Sequence, residues 1–330
     1  MKKSISVPGN VFTVAPGVWG RKDVFVNFYM VQSLADDTWV LIDAGLKWSS
    51  PKIKEMANYL FGPDSQPAAI ILTHGHFDHV GSVEKLAEEW DVPVYAHHME
   101  IPYLTGQSDY PPPDPTVGGG LMATMAFIYP KSPINIWRHV KVLPADGEIP
   151  FMPEWKYIHT PGHAPGHISL YRESDGVLIA GDAFVTTKQE SALAVMWQKK
   201  VLSGPPKYFT YDWEAAENSV DELARLNPKT AATGHGKPMR GEELREALAT
   251  LSSRFSLLAL PSQSRYLPEA AVTNANGVMY VPPRRRNSTE TALEIFGVTA
   301  VVVFALLWKG NKTKKRRVAN ENLLEVEYNY

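Results

Sequence analysis

Six consecutive positions constrain this chain more than anything else in it: His74-Gly-His76-Phe-Asp78-His79, directly after the apolar run Ala68-Ala-Ile-Ile-Leu-Thr73. The run reads as a short buried strand. Three imidazoles and a carboxylate follow within one loop, and His and Asp are good ligands for zinc or iron. A regular helix or strand would scatter these four side chains over several directions, whereas a loop between a strand and a helix turns them toward one point. Three more stretches place a His or Asp at the end of an apolar run: Thr160-Pro-Gly-His163, Ala180-Gly-Asp182 and Thr233-Gly-His235. Five of the ten histidines fall in these positions. For His97, His98, His139 and His159, an ordinary surface or hydrogen-bonding role is the simpler reading. His167 is expected to hydrogen-bond beside the site.

The flanking pattern is that of a mixed domain. Val11–Val14, Val24–Val31 and Trp39–Ile42 are rich in β-branched and aromatic residues and read as strands. Pro51–Leu60 reads as a helix with proline in its first turn. Gly81–Trp90 places Val83, Leu86, Ala87 and Trp90 on one helical face, and Val92–Ala96 reads as the next strand, a βαβ-like unit. Residues 101–140 break the pattern with Pro111-Pro-Pro113, Gly118-Gly-Gly120 and several aromatics, an insertion of the kind that is usually functional or mobile. Strands are expected at 157–160, 168–171, 177–180 and 230–233, and amphipathic helices at 213–226 and 241–260. Ser174-Asp-Gly176 suits a hairpin turn. Beyond residue 260 the periodicity fades.

Composition removes several alternatives. The 330 residues are 44% hydrophobic and 21% charged, which rules out a wholly disordered chain. No cysteine is present, so disulfides, thiolate ligands and a cysteine nucleophile are excluded. A net charge of −2 gives no general case for nucleic-acid binding. The charge is uneven: residues 281–330 hold nine Lys and Arg against five Glu, leaving a surplus of acid on the rest.

The spacing His-x-His-x-Asp-His, followed by a His, an Asp and a His after successive strands, resembles the metallo-β-lactamase superfamily of metallo-hydrolases. The resemblance covers about Val11 to Leu258 and is specific for fold and metal site rather than for substrate. It implies an α+β fold, the αββα sandwich, with metals at one edge of the two sheets. It implies that His74, His76 and His163 hold one divalent ion, that Asp78, His79 and His235 hold a second, and that Asp182 bridges them. Zinc is the expected metal, with iron or manganese as alternatives. Asp43 matches an Asp-x-Gly that fixes loops in this family and is not counted as a ligand. Asp78 is the expected catalytic residue, orienting a metal-activated water and moving its proton.

Substrate is narrowed mainly by what differs. Glyoxalase II and persulfide dioxygenases typically carry a cysteine-containing stretch after the bridging Asp, where this chain reads Gly181-Asp-Ala-Phe-Val185. Quorum-quenching lactonases are similar over Thr160-Pro-Gly-His-Ala-Pro-Gly-His167, yet place a tyrosine where Val185 stands. The expectation is therefore a hydrolase of an ester, lactone or related acyl bond in a small-molecule substrate. Two other readings stand beside it: a mononuclear iron oxygenase, and a non-catalytic membrane-attached metal-binding protein.

The organisation expected is a hydrolase domain over 1–260, a linker over 261–291, a candidate transmembrane helix over 292–308 and a basic polar tail over 309–330. The stretch Ala292–Trp308 carries one charge, Glu294, and is flanked by Arg284-Arg-Arg286 and by the basic run from Lys309 to Arg317. Its 17 residues are at the short limit of ~17–25 for a span. A buried helix or strand is the competing reading. Because no apolar run follows Lys2 and Lys3, no secretory signal is expected, and the catalytic part is placed in the cytoplasm with membrane association through the tail.

Overall fold

The computed structural model describes residues 8–197 and 199–284. The stretches 292–308 and 309–330 lie outside the described residues. All elements below belong to one compact unit, Met1–Pro282.

Two sheets dominate. The first has seven strands in sequence order: β1 (Val11–Ala15), β2 (Val18–Asp23), β3 (Val26–Gln32), β4 (Trp39–Ile42), β5 (Ala69–Ile71), β6 (Val94–Ala96) and β7 (Val140–Val142). The first four are antiparallel, joined by short turns. From β4 to β7 the pairing is parallel, as crossovers through helices require. The second sheet, in the order β12-β11-β10-β9-β8, is built from β8 (Lys156–His159), β9 (Ile168–Arg172), β10 (Val177–Ile179), β11 (Thr230–Ala232) and β12 (Met239–Arg240).

Period-two alternation decides how the sheets stack. On β4, Val40 and Ile42 face the second sheet and pack with Ile71, Ile168, Leu170, Ile179 and Ala232. Trp39 and Leu41 face the other way, against Ile53 and Met56 of α1 (Ser50–Phe61), over a core that α3 (Val83–Trp90) also covers. Outside the second sheet, Leu178 and Ala231 pack with Val220 and Leu223 of α7 (Trp213–Arg225) and Leu244 and Leu248 of α8 (Gly241–Ser253). Helix, sheet, sheet, helix is thus the layer order, as the resemblance implies.

Several boundaries differ from the sequence reading. The strand expected over Val24–Val31 starts at Val26; Val24 sits in a hairpin turn with φ +57°, and β2, whose Gly-Arg-Lys-Asp run hides it, precedes the turn. The helix expected over Gly81–Trp90 is α3, starting at Val83, and a separate turn of helix, α2 (Phe77–Val80), precedes it; the helix expected over 241–260 is divided into α8 and α9 (Phe255–Leu258). The 101–140 insertion holds α4 (Ile101–Leu104), α5 (Leu121–Thr124) and 3-10 turns. Its Tyr103 and Tyr110 are buried and stack at 3.9 Å, while Phe127 and Trp137 are exposed. The short α6 (Ala192–Trp197) lies between β10 and β11 in the chain. Beyond residue 260 the chain does not drift: Tyr266 is buried, its hydroxyl donates to the Pro112 carbonyl, and a hairpin forms from β13 (Val272–Asn274) and β14 (Gly277–Tyr280).

Candidate metal centre

The loop after β5 carries His74, then Gly75, then His76 at the N-cap of α2, so that Asp78 and His79 turn inward within the first helical turn. His163 arrives on the β8–β9 connection, Asp182 just after β10, and His235 just after β11. All seven side chains are buried. Donor atoms within 4.8 Å of one another form three groups: His74, His76 and His163; His74, His79 and Asp182; and Asp78, His79 and His235. Asp182 Oδ2 lies 3.5 Å from His163 Nε2, 3.7 Å from His79 Nε2 and 3.1 Å from His235 Nε2. One carboxylate oxygen therefore faces histidines of two different groups.

The outer ring nitrogens show what the inner ones are for. His79 Nδ1–H donates to Asp43 Oδ2 at 2.8 Å, and His235 Nδ1–H to the Phe25 carbonyl at 2.7 Å. The Thr73 hydroxyl donates to Asp43 Oδ2, so its oxygen accepts from His74 Nδ1–H at 3.0 Å. In its neutral form each ring then carries its lone pair on Nε2. His76 Nε2 lies 3.2 Å from the Tyr211 hydroxyl, leaving Nδ1 facing His163 Nε2 at 3.0 Å. His74 Nε2, His79 Nε2 and Asp182 Oδ1 are buried atoms with no hydrogen-bond partner. Buried polar atoms are rarely left that way unless something else satisfies them, and inward lone pairs held by outer hydrogen bonds fit a metal ion.

Electrostatics divides the histidines: burial opposes charge on His79 and His235, yet Asp43 and Asp182 hold His79 well above the ordinary histidine range and Asp182 holds His235 above it. Burial, and after it the neighbouring imidazoles, holds His74 and His76 well below the ordinary histidine range, and burial takes His163 to about 3. These rings are neutral, the form that donates a lone pair. Burial opposes charge on Asp182 as well, yet His235 and His79 hold its carboxyl well below the usual range. An ionised, buried carboxylate needs a cationic partner, either a charged imidazole or a metal ion in its place.

Groups that the sequence did not single out hold the frame. Glu100, fully buried, reaches both ligand loops: Oε2 accepts from the Gly75 N–H at 2.8 Å and Oε1 from the Gly166 N–H at 2.7 Å. The Tyr110 hydroxyl donates to the same Oε2. Gly75 has to be glycine here, since a Cβ would lie 2.6 Å from the Tyr110 oxygen. Asn27 Nδ2 donates to the Thr233 and Gly236 carbonyls on either side of His235. Nothing in the periodicity around Glu100 or Asn27 marks them. Asp43 does fix a loop, accepting from the Thr73 N–H at 2.8 Å besides orienting His79. His167 hydrogen-bonds beside the site as expected: Nε2 accepts from the Asp182 N–H at 2.8 Å, so Nδ1–H is the donor toward Thr160. His97, His98, His139 and His159 join none of the three groups.

Over residues 21–235 the sequence matches the family model described as the metallo-beta-lactamase superfamily. The chain belongs to the metallo-β-lactamase superfamily. Among curated relatives it is 48% identical over 249 residues to the probable metallo-hydrolase YflN of Bacillus subtilis, covering 75% of this chain and 94% of that one. It is 33% identical over 228 residues to the uncharacterized protein YobT of the same organism, covering 68% and 89%. Among solved structures, a beta-lactamase domain protein from Burkholderia ambifaria superposes with a TM-score of 0.51 at 19% identity, covering 77% of this chain and 79% of that one. That likeness speaks for the fold alone. The superfamily member described here is a metal-dependent hydrolase with a buried, histidine-rich metal site.

Proposed function

We propose that this enzyme is a binuclear metallo-hydrolase of the glyoxalase II and lactonase type, acting on an ester, lactone or related acyl bond. His74, His76 and His163 would hold one divalent ion, Asp78, His79 and His235 a second, with Asp182 shared and zinc the expected metal. The observation that carries this reading is the position of Asp182 Oδ2 between His163 on one side and His79 and His235 on the other. A pair of bound cations would supply a hydroxide near neutral pH and stabilise charge developing on the substrate oxygen. Asp78, whose Oδ2 lies 3.6 Å from His235 Nε2, would hold and move the proton of the attacking water. Phe77 adjoins Asp78 in the chain, and Phe25 stacks on the His235 ring at 6.2 Å. Phe77 stacks on Tyr129 at 5.7 Å and lies 6.4 Å from Phe25. Aromatic rings beside the site would suit an apolar acyl portion.

The test is metal content by mass spectrometry, with reconstitution of stripped protein and a panel of esters, lactones and thioesters. About two equivalents of zinc with hydrolysis restored on reconstitution supports the reading, as binuclear catalysis requires. About one equivalent of iron with oxygen consumption would replace it with the oxygenase reading. Asp78→Asn that keeps full hydrolytic activity would remove the role given to Asp78.

A further inference from the structure

The loops that surround the metal centre carry an unusual surface. Large apolar side chains stand out from them: Leu121, Phe127 and Ile128 of the insertion are 58%, 66% and 55% exposed, and Leu193, Met196 and Trp197 of α6 are 59%, 61% and 74% exposed. Val24 in the β2–β3 turn and Trp48 after β4 are exposed as well. Exposed apolar side chains scattered singly are ordinary; a group of this size on adjoining segments marks an interaction site.

The segments adjoin one another and the site. The Met122 N–H donates to the Glu190 carbonyl, joining the insertion to the segment that enters α6. Lys22 Nζ reaches the Val195 carbonyl at 3.4 Å, joining the β2–β3 turn to α6. Asp23 accepts from the Ser49 hydroxyl at 2.6 Å, joining that turn to the loop of Trp48. The Thr186 N–H donates to the His235 carbonyl, and Phe25 stacks on the His235 ring at 6.2 Å. The ring of loops closes through Phe77 and Tyr129.

Charge on these loops runs against that of the body. Residues 22–25, 45–49, 118–133, 185–200 and 235–239 together contain seven lysines and two acids, Asp23 and Glu190. Both acids are buried. Lys131 and Lys200 pair with Asp109 and Glu243, while Lys47, Lys188, Lys199 and Lys237 are exposed. Partial burial and then Lys237 hold Lys22 below the usual lysine range, as two cations facing each other would. Residues 1–280 as a whole carry more acid than base, so a cationic rim here is local.

We infer that this rim docks on the surface of an anionic lipid bilayer, with the apolar side chains of the insertion and α6 entering the headgroup region. Lysines beside exposed Trp, Phe and Leu are the composition that binds such surfaces, through charge attraction added to buried apolar area. An acidic protein partner would meet the lysines but would need its own apolar face to cover six side chains. The docking does not depend on the hydrolytic reading. Joined to it, it names the substrate class as an amphiphile whose acyl bond reaches the metal centre from the lipid side.

The absence of cysteine makes the test clean, because one introduced cysteine is unique in the full chain. Phe127→Cys, Met196→Cys and, as control, Leu34→Cys each replace an exposed side chain. Leu34 lies beyond the end of β3 opposite to the end that meets the His235 loop. Each variant is labelled with an environment-sensitive fluorophore, checked for bound metal, and mixed with vesicles of phosphatidylcholine with or without phosphatidylglycerol. Co-sedimentation alone would not separate this rim from the apolar stretch 292–308, so the readout is local. Labels at 127 and 196 are expected to shift blue and brighten about two-fold or more on anionic vesicles, with the label at 34 silent. The response should fade in about 1 M salt, where the Debye length is ~3 Å. No response at 127 and 196 overturns the inference, as does an equal response at 34. A response that grows with protein concentration without lipid also overturns it, since a second copy of the chain would then be the occupant. A variant that binds metal and hydrolyses soluble acyl substrates without any lipid response would overturn the docking and leave the hydrolase reading standing.

Discussion

Glu100→Gln is the most discriminating single substitution in the frame of the site. The carboxylate accepts the Gly75 and Gly166 N–H groups on different oxygens and the Tyr110 hydroxyl as well. Burial pushes the Glu100 carboxyl up from its ordinary range, and the three donors oppose that shift. Glutamine is nearly the same size but has one acceptor oxygen and one NH2. Either way the amide turns, its NH2 meets a backbone N–H that was donating. With the NH2 toward Gly75, the N–H keeps the Tyr110 oxygen at 2.9 Å and the cost is smaller. With the NH2 toward Gly166, one charge-assisted hydrogen bond is lost and a buried donor is left without an acceptor, at a cost of about 2–3 kcal/mol. For a domain of this size that lowers the melting temperature by roughly 5–10 °C. Because Gly75 lies between His74 and His76, and Gly166 follows His163 by three residues, metal affinity should fall by about 10–100-fold, as for other partners behind metal ligands. Thermal melting and competition with a chromophoric chelator measure the two effects separately. Tyr110→Phe is the companion: it removes a hydroxyl that donates to Glu100 and accepts from the Gly75 N–H at 2.9 Å, yet leaves both N–H groups accepted by Glu100, so its metal affinity should stay within about three-fold of the parent, since the partners behind the ligands remain. If Glu100→Gln melts within about 0.5 kcal/mol of the parent, the range of a neutral surface change, and holds metal as tightly, Glu100 does not tie the two ligand loops together.

Three further substitutions test other parts of the same argument. Asp43→Asn should weaken metal binding by about 10–100-fold, because an amide NH2 would oppose either the Thr73 N–H or His79 Nδ1–H, both of which now donate to Asp43; chelator competition reads the loss. Gly234→Ala would press a Cβ onto Asp182 Oδ1 and to within 2.8 Å of His79 Cε1, so metal stoichiometry should drop even where the fold survives, which circular dichroism would show. His97, held down to about 3 by burial, with His159 and His98 adding to it, is neutral in the folded chain. Its folded value lies below the ordinary 6.5, so its contribution is complete above pH 6.5 and is lost as pH falls from there toward 3. The urea midpoint of the parent should therefore fall more steeply over that window than the midpoint of His97→Asn; parallel curves would refute the assignment.

What could be read in the sequence, and what could not, divides along a physical line. His74, His76, Asp78 and His79 were legible because metal coordination needs particular side chains at short spacing on one loop, and spacing is a property of sequence. The strand itself was legible at Trp39–Ile42 as an apolar run, but its faces were not: all four side chains are apolar and buried, and only the fold shows that Val40 and Ile42 face one layer and Trp39 and Leu41 the other. Glu100 was not legible, since its function comes from reaching Gly75 and Gly166, which lie 25 and 66 residues away in sequence. Only the parallel pairing of β5 with β6 brings the chain after Ala96 beside the metal loop. The strand Val18–Asp23 was obscured for a related reason: Arg21 and Asp23 are polar in composition but buried in place, Arg21 pairing with Glu55 and donating to the Lys52 carbonyl, and Asp23 pairing with Lys52 and accepting from Ser49. Polar residues that find partners only across the fold look like solvent-facing residues until the fold is known. The same reasoning applies to the segments around the metal loops, where six apolar side chains stand exposed and uncovered by the described residues. A core residue left uncovered would be a fault of packing, but these lie on loops that also gather lysines in an otherwise acidic body. That combination is understood most simply as a surface completed by something outside the chain.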